Sequence, residues 1–395
     1  MVRRRILLHT IPPYEGGVPA KASQLAAHLR SLGWDVAVAW YATLGHEPDL
    51  VAPSWRPWPG PGVRQQNCWD GFPGWAVGCR FPETEIAYYR PSRRWRAVMA
   101  DFDRHLAVGG NVLVANRLVE AEIPHLLWCA TPIEDDRCDR RDQMHPARRW
   151  LDRHLLTPAL QRMERKIIAG CPLLMPVAGY GRRRFAEMGR RTDPVEVLPV
   201  PVDTDLFHPP AQVDPLILGF AGRLDDPRKN LLLLLNAVKR VRAMGIAVQL
   251  RLAGPASSAL RDKVGHLGLA DGVSFLGNLA QQDLPGYFRS LGQFVIPSWQ
   301  EGLGIVGVQA VASGLPVIST RCGGPQDYVL DGENGYLVDF SADDMAQRIA
   351  RIATDAPLRR QFSQSSRAIA EARYGLKGWA LALATAWGAV WGDEP

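Results

Sequence analysis

The sequence predicts an α/β protein built from two parallel-sheet domains. Three observations carry that expectation. Strand-like apolar runs alternate with stretches of helical spacing, the alternation restarts after a proline-bracketed segment near residue 200, and 395 residues exceed the size at which one hydrophobic core keeps growing. With 47% hydrophobic and 22% charged residues, the composition is that of an ordinary globular chain.

The first element is a short buried strand, Arg5 to Thr10, followed by a loop from Ile11 to Val18 that holds the pair Gly16-Gly17. A helix comes next, its apolar positions Ala22, Leu25, Ala26, Leu29 and Leu32 at helical spacing. Gly33 ends it, and Val36, Val38 and Trp40 alternate as the next strand. Glu47 to Pro91 is rich in proline and tryptophan, which regular helices and central strands absorb poorly, so it reads as loops and short strands. Asn111 to Ala115 and His125 to Cys129 read as further buried strands, and Leu151 to Ile168 as a helix stopped at Gly170.

Pro199, Pro201, Pro209 and Pro210 argue against a continuous helix from Val200 to Phe207 and mark the domain boundary. Beyond it come strands Leu216–Ala221, Val248–Ala253, Val273–Leu276, Gln293–Ile296, Pro316–Ser319 and Gly335–Val338. Helices Asn230–Met244, Ser258–Leu267, Leu284–Leu291 and Ile305–Ser313 separate the first five strands. Leu376 to Trp391 is a last helix, with Trp379, Leu381, Leu383, Ala386 and Trp387 available for burial. Repeated β-α units with short connections imply parallel sheets covered on both faces. Their ligands sit outside the strand carboxyl ends, so two facing domains serve a two-substrate reaction in one cleft. Neither GxGxxG nor GxxxxGK(S/T) occurs, which argues against a nicotinamide enzyme and against a P-loop.

The net charge of +6 is unevenly placed, with 28 Lys plus Arg against 21 Asp plus Glu in residues 1–200 and 18 against 19 in the rest. Clusters at Arg93, Arg94, Arg96, at Arg148, Arg149, Arg153 and at Arg182, Arg183, Arg184 are either solvated surface or an attraction for an anionic membrane surface or acceptor. Nucleic acid is not expected, since no recognition motif accompanies the charge. Six cysteines without a CxxC pair suggest neither a zinc ribbon nor a disulfide framework, and a cytoplasmic protein is expected. The apolar stretch Ile6-Leu7-Leu8 is too short for a signal peptide, and no run approaches the ~18 residues of a membrane span, so any membrane contact is expected to be peripheral.

Three loops carry the candidate chemistry. After the strand ending at Ala221 comes Gly222-Arg223-Leu224-Asp225-Asp226-Pro227-Arg228-Lys229-Asn230. There Arg223 offers a planar fork and Lys229 a compact charge for phosphate oxygens; the structural alternative is a βα turn with exposed cations. In Pro297-Ser298-Trp299-Gln300-Glu301-Gly302-Leu303-Gly304, the glycines permit close approach to the free amides of a helix start. Glu301 accepts only, which suits sugar hydroxyls; its structural alternative is a helix-start carboxylate favoured by the dipole. Thr320-Arg321-Cys322-Gly323-Gly324-Pro325-Gln326-Asp327 follows the next strand, opens another helix, and again pairs glycines.

These loops resemble the retaining GT-B glycosyltransferases of family 4. FAGRLDDPRKN, VSFLGN, PSWQEGLGIVGVQAVASGLPVIST and GGPQDYVLDGENGYLVD follow the family text in order and spacing, whereas the N-terminal half matches mainly at Glu15-Gly16-Gly17, the helix after it and the linker Pro201–Phe207. The resemblance implies a GT-B fold, two facing Rossmann-like domains with an interdomain cleft. Its divisions are an acceptor-binding domain 1–199, a nucleotide-sugar domain 200–375, and a helix 376–395 crossing back to the first. It implies a catalytic set of Arg223, Lys229 and Glu301, and donor binding by Gly16, Gly17, Gly222, Asn278, Gly302, Leu303, Gly304 and Gln309. The donor is a nucleoside-diphosphate sugar, the acceptor a glycan, lipid-linked or small molecule. No cofactor and no metal are implied, so Asp203-Thr204-Asp205 reads as structural.

Two departures stand out. Gln309 occupies the place of a second family glutamate that touches the ribose, and it keeps an acceptor oxygen without the charge. Trp128-Cys129-Ala130-Thr131-Pro132 lacks a histidine that many members carry, and His9 and His125 read as core or surface residues. A degenerate nucleotide-sugar-binding subunit and a nucleotide-sugar 2-epimerase are the alternatives to a transferase.

Overall fold

The computed structural model describes residues 4–14, 16–69, 71–135, 137, 144–189 and 197–395; Glu15 and Cys138 lie outside them. The chain divides into two compact units, Met1–Leu198 with Leu381–Pro395, and Pro199–Ala380.

In the first unit β1 (Arg5–Thr10), β2 (Asp35–Tyr41), β3 (Val63–Cys68), β4 (Phe72–Val77), β5 (Arg104–Val108), β6 (His125–Cys129) and β7 (Leu173–Pro176) form one sheet in the order β3-β4-β2-β1-β5-β6-β7. Every neighbouring pair is parallel except β3 with β4. The strand order reverses between β1 and β5. Val36 to Trp40 are all buried, so the expected alternation gives way to a strand covered on both faces, as crossover segments of a parallel sheet require.

The structure corrects several local expectations. Asn111–Ala115 is not a strand. The strand is Arg104–Val108, and Val112–Ala115 is a 3₁₀ turn started by Asn111, whose Oδ1 accepts from the Leu113 amide at 3.1 Å. The turn is as buried as a strand would be, which is why its apolar run misleads. The first helix runs Gly17–Ser31, starting inside the expected loop, and Leu32 lies past its last turn and is exposed. The helix expected from Leu151 begins at Pro146 and contains a π-helical stretch, Asp152–Leu156. Leu381 is 70% exposed, because Trp379, Leu383, Ala386 and Trp387 define the buried face of the last helix, Leu376–Trp391. Trp387 packs on Trp34 and Asp393 pairs with Arg104, both within the first unit.

In the second unit β8 (Ile217–Ala221), β9 (Gln249–Ala253), β10 (Val273–Gly277), β11 (Gln293–Ile296), β12 (Val317–Thr320) and β13 (Gly335–Val338) form an all-parallel sheet in the order β10-β9-β8-β11-β12-β13. The helices Leu231–Ala243 and Ala342–Thr354 bury Leu234, Val238, Val241, Met345, Ile349 and Ile352 in one core with the inward residues of β8 and β9. Here the strand order reverses between β8 and β11. The loop after β12 opens only a four-residue 3₁₀ turn, Gly324–Asp327, not a full helix.

Candidate functional site

A parallel sheet whose strand order reverses leaves a crevice outside the carboxyl ends of the two strands at the reversal. In the second unit those strands are β8 and β11, and the three loops singled out in the sequence follow β8, β11 and their neighbour β12. Backbone hydrogen bonds tie them together. The Trp299 amide donates to Arg228 O at 2.8 Å, the Glu301 amide to Cys322 O at 2.7 Å, and the Gly324 amide to Glu301 O at 2.9 Å.

This lacing brings Lys229 and Glu301 into an ion pair, Nζ to Oε1 2.7 Å, with both side chains largely buried. Ser298 Oγ donates to the same Oε1 at 2.7 Å, so both donors act on one carboxylate oxygen. Gly222 adopts φ +147°, a backbone conformation that favours glycine, and the Lys229 stem lies beside it at the end of β8. Gly304 adopts φ +75°, where an added Cβ would meet the Tyr328 hydroxyl at 2.9 Å. That buried hydroxyl donates to Gly304 O at 3.1 Å and holds the start of the helix Ile305–Ala312, whose cap has no side chain to occupy its first-turn amides.

Arg223 is placed differently. Its guanidinium pairs with Asp226 at 2.7 Å and is 66% exposed, and Asp226 also takes Arg228 at 2.9 Å. Burial pushes the Asp226 carboxyl up, but hydrogen bonds and charge from Arg228, with the charge of Arg223, outweigh it and hold it below the usual carboxylate range. The site therefore sets three cations against Asp226 and Glu301, while Asp225 is spent on Ser257, accepting from its amide at 2.8 Å and its hydroxyl at 2.6 Å. Gly302 is half-buried and Leu303 buried in the turn itself. Asn278 is exposed just past β10, at the sheet's edge. Gln309 is buried on the helix Ile305–Ala312, and its Oε1 has no partner among the described residues.

Asp226, Arg228, Ser298, Cys322 and Tyr328 escaped the sequence reading. The Asp226-Pro227 turn signal and the spacing of Ser298 three residues before Glu301 were the available clues. Burial, with the nearby Glu301 charge, pushes the Cys322 thiol up to about 12, so it is an inert wall and not a nucleophile.

Gly16 and Gly17 lie in the first unit, where Gly16 at φ +111° caps the helix Gly17–Ser31 at the carboxyl edge of β1. His9 and His125 are fully buried: His9 Nε2 and His105 Nδ1 are 3.1 Å apart, and His125 Nδ1 lies 2.7 Å from Ile123 O. Asp203 Oδ1 accepts from the amides of Asp205 and Leu206 at 3.0 Å each, a turn within the linker. Trp55 and Trp58 stand exposed, whereas Trp95 is core.

Residues 215–355, which contain all three loops, match the sequence profile of the glycosyl transferases group 1 family. Among curated proteins, the chain is 35% identical over 197 residues to the D-inositol 3-phosphate glycosyltransferase of Stackebrandtia nassauensis, covering 44% of each chain. It is 32% identical over 222 residues to the GDP-mannose-dependent alpha-(1-6)-phosphatidylinositol monomannoside mannosyltransferase of Mycobacterium tuberculosis, covering 51% of this chain and 57% of that one. The matches thus span about half the length of these relatives. Among solved structures, sucrose-phosphate synthase from Thermosynechococcus elongatus superposes with a TM-score of 0.76 at 19% identity, covering 99% of this chain and 100% of that one. Residues 215–355 thus match a glycosyl transferases group 1 domain, and the two-sheet α/β architecture is that of the GT-B fold.

Proposed function

We propose that this protein transfers a sugar, with retention of anomeric configuration, from a nucleoside-diphosphate sugar to a glycan or lipid-linked saccharide. The observation that carries the proposal is the Lys229–Glu301 pair at the β8/β11 reversal, inside the segment that matches the glycosyl transferases group 1 profile. A diphosphate offers Lys229 anionic oxygens in exchange for Glu301, and Glu301 is then released to accept from sugar hydroxyls. Arg223, exposed beside it, adds its fork to the leaving phosphates. Stabilising the departing nucleoside diphosphate in this way lowers the barrier to breaking the anomeric bond without a metal. The leaving phosphate then helps deprotonate an acceptor attacking from the same face, so no protein nucleophile is required. The unpaired Gln309 Oε1 suits a ribose hydroxyl, and the amides at Gly302, Leu303 and Gly304, with Gly222 and Asn278, complete the donor side.

The acceptor side is assigned to the first unit, whose Gly16 and Gly17 are proposed as donor-binding residues. An anionic membrane surface is the proposed setting. Between Pro146 and Lys166 the residues Arg148, Arg153, Arg162, Arg165 and Lys166 are exposed beside exposed Trp150 and Leu155, whereas the two carboxylates of that stretch, Asp152 and Glu164, are buried. The relatives' inositol-type acceptors fit this setting, since one acts on a phosphatidylinositol monomannoside.

Turnover tests the proposal. Purified protein is incubated with UDP-glucose or GDP-mannose and with D-inositol 3-phosphate or a lipid-linked saccharide, and nucleoside diphosphate release is followed. Acceptor-dependent release with one donor supports it; nucleotide binding without any release would favour the degenerate subunit.

A further inference from the structure

The first unit has its own strand-order reversal, between β1 and β5, and a lysine is buried beside it. Lys21, on the helix Gly17–Ser31, is 3% exposed. Its Nζ donates to Gly109 O at 2.9 Å and to Trp128 O at 3.3 Å, and sits 4.9 Å from the centre of the Trp128 ring. No described carboxylate pairs with it. The carbonyls it holds belong to a knot of loop backbone at the carboxyl ends of β5 and β6: the Gly109 amide donates to Trp128 O at 3.0 Å, and the amides of Ala130 and Thr131 donate to Gly110 O at 3.0 and 2.9 Å. Gly110 in turn approaches Val18 at the start of the helix, where an added Cβ would lie 3.6 Å from its side chain.

We infer that Lys21 is a positioning residue whose ammonium clamps the Gly109–Gly110 turn and the end of β6 to the glycine-loop helix, fixing the loops at the reversal point of the first unit. The inference rests on the reading of this edge as the acceptor side for its purpose in the reaction, but the clamp itself does not. A buried lysine without a counter-ion is an expensive way to hold two carbonyls, because desolvation disfavours the charge; burial pulls the Lys21 amine down to about 7. Protonated, it makes charge-assisted bonds to both carbonyls; neutral, it makes weaker ones. The clamp therefore loosens as pH rises through neutrality. The titratable group facing the amine is Cys129 on β6, whose thiol burial keeps protonated. Behind Cys129 stand Cys171 and Glu164, and burial pushes the Glu164 carboxyl up to about 7.

Amide hydrogen exchange on the full chain tests this, with Lys21→Met and Lys21→Arg compared to the parent at pH 6.0 and 8.5 after correction for intrinsic rates. The expected result is exchange at Gly109, Ala130 and Thr131 faster by roughly tenfold in Lys21→Met at both pH values. In the parent these amides should exchange several-fold faster at pH 8.5 than at 6.0, and in Lys21→Arg, which stays charged, the pH response should vanish. Wild-type protection of these amides in Lys21→Met would overturn the clamp. A pH response that survives in Lys21→Arg, and disappears in Glu164→Gln, would assign the switch to Glu164 instead and overturn it equally. Stabilisation by UDP, GDP or ADP is measured on the same three proteins. Its absence from the parent would sink the transferase reading while leaving the exchange result to stand or fall by itself.

Discussion

The two sheets place a lysine at the same topological point and treat it oppositely. At the β8/β11 reversal Lys229 has a carboxylate at 2.7 Å and neighbours open to solvent; at the β1/β5 reversal Lys21 has two carbonyls and a tryptophan ring. A paired cation can exchange its counter-ion for a ligand's phosphate at small net cost, because it remains compensated throughout. An uncompensated buried cation has no such exchange to make, and its charge serves the backbone around it. On the two proposals, one edge trades charges with a ligand and the other holds its loops.

Four tests bear on that difference. The largest effect is expected from Lys229→Ala, which should lower the transfer rate at saturating donor by roughly 10²–10³-fold. Arg223→Ala, removing a more exposed charge, should also cost heavily but less, about tenfold or more. Initial-rate measurements check both, and near-wild-type turnover in either would remove that residue from the phosphate clamp. Next, Glu301→Gln or Lys229→Met alone leaves a largely buried charge unpaired and should cost about 2–4 kcal/mol of stability. The double variant should recover most of that in thermal unfolding without recovering turnover, which separates pairing from catalysis.

The third test concerns acid. Burial and the neighbouring histidine charges hold His9 well below 6.5; burial and the charge of His125 bring His105 to about 4, and burial lowers His125. Between pH 6.5 and 4 the unfolded chain therefore binds protons that the folded cluster refuses, so the cluster's contribution to stability is full above 6.5 and is lost as pH drops through that window. Melting temperature against pH should show the loss, and His105→Asn should flatten it; an unchanged slope would mean the cluster does not carry it. Smallest of all, Tyr328→Phe removes one hydrogen bond to Gly304 O, about 1 kcal/mol, and should weaken nucleotide binding by less than tenfold.

Legibility in the sequence followed the same divide. Strands β8, β11, β12 and β13 were readable because their buried runs sit between glycine and proline turns, and Lys229 and Glu301 were found because each follows such a run. Their pairing was not readable, since it depends on the lacing of loops 72 residues apart. In the first unit Val112–Ala115 was as apolar as a strand and folded as a 3₁₀ turn, while Arg104–Val108, which opens on arginine and histidine, was missed. The helices Ala342–Thr354 and Ala356–Tyr374 also passed unread, although Ser341 and Asp355 cap them through side-chain bonds to Asp344 and Leu358 amides. Lys21 gave no signal, because a lysine on an amphipathic helix reads as solvent-facing until the fold buries it.

Calorimetric titration of UDP, GDP, ADP and their common sugar conjugates into the parent protein and Lys229→Ala decides whether Lys229 holds a nucleoside diphosphate. One nucleotide family should bind the parent, its diphosphate should bind at least tenfold more weakly to Lys229→Ala, and the sugar conjugate should gain affinity through Glu301. No binding at millimolar concentration, or equal affinity for both proteins, would contradict that role.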